Sequence, residues 1–248
     1  MKYSLLLLIV FLFLSCNKNR DGNAQEIVDK AITKAGGDRY LNSKIEFDFR
    51  DKNYCALRND NDFKLERQSY NDTLVTTDIL TNSYFLRIEN ERQVALADST
   101  KIKFSNSVNS VHYFSVLPFG LNDTAARKTL LGEVKIKGNT YYKIEVTFSE
   151  EDGGTDFDDV FLYWINTKTY LVDYLAYEFH VDGGGMRFRE AYNERIVNGI
   201  RFVDYNNYKP IEPDVKLRDL DIAFETSKLE LLSKIELENV KVEECISC

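Results

Sequence analysis

The sequence predicts an α+β fold in which roughly ten antiparallel strands form one curved sheet with helices covering one of its faces. Three observations carry this. Apolar residues recur with period two along much of the chain, as where Ile45, Phe47 and Phe49 alternate with Glu46, Asp48 and Arg50. These runs are short and separated by Asn, Asp and Gly, the residues of tight turns. Helical spacing occurs in only three places, and no Pro-, Gly- or Ser-rich linker or internal repeat divides the 248 residues. With 44% hydrophobic and 29% charged residues the composition is that of an ordinary globular domain, placed here at residues 24–248.

The chain opens with Lys2, the apolar run LLLLIVFLFL at 5–14, then Ser15 and Cys16, the three-part order of a secretory signal peptide over residues 1–15. Ten apolar residues are too few to span a bilayer, which takes about 20. The segment LFLSC resembles the lipobox of bacterial lipoproteins, with Phe13 in place of the usual leucine. That resemblance implies cleavage before Cys16 and acylation of its thiol, and several acyl chains on one residue hold a membrane stably. Residues 16–23 then form the lipidated cysteine and a polar tether. The acid-poor segment after Cys16 implies, by likeness to lipoprotein sorting signals, the periplasmic face of the outer membrane.

Residues 24–35 (AQEIVDKAITKA) place Ile27, Val28, Ala31 and Ile32 on one helical face and end at Gly36-Gly37. Strands are expected at 44–50, 54–58, 63–70, 73–80 and 84–89. At 99–117 the spacing becomes helical again, with Pro118 closing the segment. Residues 132–146 read as a hairpin turning at Gly138-Asn139, with Tyr142, Ile144, Val146 and Phe148 on one face. Further strands follow at 159–165, 171–180, 186–192 and 200–208, the last two joined by the hairpin turn Asn198-Gly199. A short helix is expected at 217–225 and a final strand at 231–242.

The formal charge of −8 repels phosphate backbones, so no nucleic-acid partner is expected. With Cys16 acylated, Cys55, Cys245 and Cys248 remain, and their pairing is open. Cys245-x-x-Cys248 lacks the helix start of a redox pair and the further ligands of a zinc site. The acidic loop at 150–159 (EEDGGTDFDD) fails the EF-hand pattern and reads as a solvated turn. Carboxylates two apart, such as Asp219 and Asp221, read as a wet loop or strand face. Arg187 and Arg189 read as outward strand positions paired with carboxylates. No catalytic, cofactor or metal motif emerges, and no heptad signals an oligomer, so a monomer without cofactor is expected.

The positive signal is aromatic. Phe (16) and Tyr (15) concentrate on the strands, and residues 161–165 (FLYWI) are apolar on both faces, so something must cover the second face. That cover is either helices alone or helices enclosing an apolar cavity.

The blocks at 31–50, 117–123, 131–148 and 163–210 resemble an uncharacterised lipoprotein family of Bacteroidota. Their order is also similar to the wider superfamily of the lipoprotein carrier LolA, the lipoprotein LppX and the N-terminal domain of the sensor RseB. This likeness implies an unclosed half-barrel whose concave side is plugged by helices around a cavity for acyl chains. On that basis Phe47, Phe49, Phe114, Tyr142, Ile144, Phe148 and Trp164 are the expected lining. The leading reading is then a membrane-tethered carrier or sensor that binds a lipid or acyl chain. A non-catalytic envelope interaction protein with a filled core stands beside it, as does a hydrolase or lyase using His180, Asp182, Arg187 and Arg189.

Overall fold

The computed structural model describes residues 20–149, 159–180 and 183–245, with the side chains of 20–22 outside that description. Cys16, residues 150–158 of the acidic loop, Asp182 and Cys248 therefore lie outside the described residues.

The first helix, α1 (Arg20–Ala35), starts four residues before the apolar stripe does. Periodicity registers only the buried face, and the first turn here is polar. Six strands follow as a meander: β1 (Asn42–Phe49), β2 (Lys52–Asn59), β3 (Asp62–Asn71), β4 (Leu74–Thr81), β5 (Phe85–Glu89) and the short β6 (Arg92–Val94). Helix α2 (Asp98–Ser115) then leads to β7 (Ala126–Ile136), β8 (Asn139–Phe148), β9 (Val160–Asn166), β10 (Val172–Phe179), β11 (Gly185–Val197) and β12 (Ile200–Pro210). Helix α3 (Leu220–Glu225), β13 (Leu229–Ile235) and β14 (Glu238–Glu244) complete the described chain.

The expectation of one sheet of about ten strands is corrected: the described residues form two open antiparallel sheets of seven strands each. One runs β14-β1-β2-β3-β4-β5-β6 and the other β13-β12-β11-β10-β9-β8-β7. The cause lies in the segment read as a single last strand. Buried Asp204 accepts the Leu237 backbone N–H at 3.0 Å, and Arg195, itself 3.1 Å from Asp204, donates to the Leu237 carbonyl. This pinned corner breaks the ladder, so β13 pairs with β12 while β14 crosses to pair with β1. The β7–β8 turn is also one residue earlier than expected, at Lys137-Gly138, both with positive φ (48° and 79°) as a type I′ turn requires.

The inner face of the second sheet carries α1 and that of the first carries α2. Ala24, Ile27, Val28 and Ala31 of α1 pack with Ile144, Val146, Tyr163, Ile165 and Leu175 of the second sheet. Val108 of α2 packs with Ile45, Phe47, Tyr54 and Leu65 of the first. The outer face of the second sheet is apolar as well, and α3 is its cover: Leu220 packs with Leu162, Trp164, Ala176 and Phe188. This answers what seals the second side of the FLYWI strand. Asp221, expected on a wet surface, is instead 4% exposed and paired with Lys143 at 2.9 Å, with Trp164 Nε1 donating to it at 3.3 Å.

Candidate functional site

On the inner side the sheets and α2 leave a cavity of about 720 Å³. That volume is within the range of small-molecule sites. Its walls come from the end of β1, the C-terminal half of α2 and the inner faces of β8 to β13. Alternation along the strands decides which residues reach it. On β9 Phe161 faces in and Leu162 faces out; on β11 Arg187 and Arg189 face in while Phe188 faces out.

Aromatic rings form a continuous shelf. Phe114 lies 5.5 Å from Tyr177, Phe161 stacks on Tyr177 at 5.6 Å, and Phe148 meets Phe161 edge-on at 5.7 Å. Tyr113 shares a 3.4 Å hydroxyl contact with Tyr163, and burial pushes its phenol up to about 12. Burial likewise raises Tyr205, so both hydroxyls are neutral at physiological pH.

Polar and charged groups share the lining with the rings. The Arg189 guanidinium lies 4.2 Å over the Phe114 ring and 5.0 Å over Tyr177, and donates to the Tyr177 hydroxyl at 2.8 Å. Arg187 lies 5.0 Å over Phe179 and donates to the Met186 carbonyl. Both arginines point inward against rings, which corrects the expectation of outward, carboxylate-paired positions. Asp123 and Asp159 also line the cavity. Asp123 accepts the Ala125 backbone N–H, and Asp159 stands 3.8 Å from exposed His180.

Of the seven residues expected to line a cavity, Phe49, Phe114 and Phe148 do so. Phe47 is buried in the first sheet, stacked on Tyr54. Ile144 is fully buried beneath α1, and Tyr142 packs against Tyr170. Trp164 lies on the outer face under α3. Sequence reasoning missed Phe161, Tyr177 and Asn207, and named Arg187 and Arg189 only for a hydrolase or lyase pocket. The strand period was the available signal, but a strand apolar on both faces does not reveal which parity faces in.

The second histidine, His112, is 1% exposed, held by a 3.0 Å bond from Nε2 to the Glu66 carbonyl and edge-on to Phe47 and Tyr54. Cys55 is the free cysteine among the described residues, and Cys245 is disulfide-bonded.

Fold and cavity together define a two-sheet antiparallel α+β protein with an aromatic, arginine-bearing cavity open to solvent on one side. The chain belongs to a family of unknown function, DUF6503, whose model matches residues 2–237. No curated protein matches it. Among solved structures it is similar to a LolA superfamily protein from Nitrosomonas europaea, at 14% identity over 89% of this chain and 94% of that one, with a TM-score of 0.49. It is also similar to a DUF1329 family protein from Desulfovibrio piger, at 10% identity over 90% and 95%, with a TM-score of 0.41.

Proposed function

We propose that this protein is a non-catalytic, lipid-anchored envelope lipoprotein that holds a hydrophobic ligand, an acyl chain, in its inner cavity as a carrier or sensor. The observation that carries the reading is the cavity of about 720 Å³ with its shelf of Phe114, Phe148, Phe161 and Tyr177. A filled core would give those rings side-chain partners on every side; here they face open volume, and apolar surface facing water favours an apolar occupant. The lipobox-like LFLSC supports the anchor at Cys16, and the polar residues after it support the periplasmic face of the outer membrane. The sequence likeness to the LolA superfamily points the same way.

The test is native mass spectrometry of the chain secreted with Cys16→Ala, followed by titration with a fluorescent fatty acid. The expected result is a lipid-range mass that leaves on denaturation, or saturable uptake of the probe. A clean apo mass with no uptake would replace this reading with that of an interaction protein. Metabolic labelling with palmitate tests the anchor: label should enter the unsubstituted chain and be absent from Cys16→Ala.

A further inference from the structure

The cavity floor carries a polar row amid its aromatic walls. Arg189 on β11 stands directly opposite Asn207 on β12, and Asn207 directly opposite Ser233 on β13; all three line the cavity. Arg189 and Asn207 are each only 7% exposed. Two of their polar atoms, Arg189 Nε and Asn207 Oδ1, are buried with no hydrogen-bond partner.

Most other buried or half-buried arginines of the two sheets are treated differently. Arg67 and Arg87 share Asp78, Arg195 pairs with Asp204, and Arg201 pairs with Glu194 and Asp173. Arg189 has no carboxylate partner among the described residues; rings and one phenol hold it. Arg58 likewise lacks a carboxylate among them and has an unpartnered Nη1, but it stacks on Phe119 and does not line the cavity, so what sets Arg189 apart is its place in the cavity wall. The carboxylates that do line the cavity, Asp123 and Asp159, are engaged with Ala125 and His180. Arg187, two residues from Arg189 on the same face, adds a second cation.

A buried guanidinium donor left unpaired is costly, and an oxyanion is the group that satisfies it best. Asn207 completes the site. Its Nδ2 now donates to Ser233 Oγ at 3.2 Å. Because a hydroxyl both donates and accepts, turning the amide over lets Oδ1 accept from Ser233 and puts Nδ2 at the unpartnered position in the cavity wall, on the strand next to Arg189. Two unpartnered donors on neighbouring strands then lie side by side in the wall of a cavity lined by rings.

We propose that the ligand is a single-headed anionic amphiphile, its carboxylate-type oxyanion held by Arg189 and Asn207 and its alkyl chain laid along Phe114, Phe161 and Phe148. This deepens the lipid-binding reading and rests on it.

The test is calorimetric titration of the full chain carrying Cys16→Ala with laurate, dodecanol, acetate and inorganic phosphate, repeated with Arg189→Met and Asn207→Leu added. Laurate should bind the parent about tenfold or more tighter than dodecanol, because a charge-assisted hydrogen bond is roughly twice as strong as a neutral one. Arg189→Met should cost laurate about tenfold or more in affinity beyond what it costs dodecanol, since only laurate loses a charged contact. Asn207→Leu should lose part of the same preference. Equal affinity of the parent for laurate and dodecanol overturns the anionic headgroup and leaves the lipid-binding reading standing, and that comparison needs no variant to fold. Persistence of the preference in Arg189→Met overturns the assignment to this arginine. Acetate or phosphate binding as tightly as laurate would mark a small-anion site and overturn the amphiphile. Failure of both amphiphiles to bind would overturn the lipid-binding reading itself.

Discussion

Acid should destabilise this protein through His112. Burial pulls the imidazole from its ordinary 6.5 down to about 3; the bond to the Glu66 carbonyl opposes this, and nearby Arg58 and Arg67 add to it. Since the carbonyl accepts, Nε2 carries the proton, and Nδ1 is a buried acceptor with no donor facing it. A second proton would put an unpaired N–H and a charge between the Phe47 and Tyr54 rings. In the unfolded chain His112 takes that proton once pH falls below 6.5; in the folded chain it resists until about 3. The contribution to stability is therefore intact above 6.5 and is lost progressively as pH falls toward 3. At about 1.4 kcal/mol per pH unit, moving from pH 7 to pH 5 removes about 2 kcal/mol, or roughly 4–8 °C of melting temperature for a domain of this size. Urea unfolding at both pH values, on the parent and on His112→Gln, isolates the effect, because glutamine keeps a donor for the Glu66 carbonyl and does not titrate. The parent should lose about 2 kcal/mol more than the variant. Parallel losses in the two proteins would refute the buried-imidazole argument.

Other consequences can be checked as directly. Breaking the Lys143–Asp221 pair under α3 by Asp221→Leu should cost about 3–5 kcal/mol in urea unfolding, because it strands a buried ammonium, and adding Lys143→Met should recover much of the loss. The Cys55 thiol, pushed up to about 11 by burial, should react with a disulfide reagent at pH 8 about a hundredfold more slowly than a free thiol; a free-thiol rate would contradict its burial. Val111→Trp, placing a large ring in the cavity wall formed by α2, should cut fatty-acid uptake at least about tenfold while shifting stability by less than about 3 kcal/mol. Gly199→Ala should destabilise by about 1 kcal/mol or more, since φ there is +80° and a Cβ would lie 2.6 Å from Arg39 Nε.

Much of the fold was legible because turn chemistry and period two are local properties. The meander from β1 to β5 follows from alternating residues between Asn and Asp turns, and Asn198-Gly199 fell where expected, with φ of 46° and 80°. Two features were hidden because they are not local. Strand β6, three residues at a sheet edge, is too short for any period to register. The corner at Leu237 depends on Asp204 and Arg195, more than thirty residues away, and no pattern within residues 229–244 announces it.

The site was harder to read for a reason that follows from the fold itself. A one-sided sheet declares its inner face by polarity, but the second sheet is apolar on both faces because α1 and α3 cover it from opposite sides. Hydrophobicity then carries no sign, and size favoured Trp164, which the structure places outside under α3. The informative residues were the polar ones. Arg187 and Arg189 flank Phe188, and because Phe188 is fully buried on the outer face, both guanidinium groups must turn inward. Charge at alternate positions of a strand reads as solvent exposure only when one face is known to be wet. Once α3 closes the outer face, the same alternation means an inner face apolar enough to stack a guanidinium on Phe114.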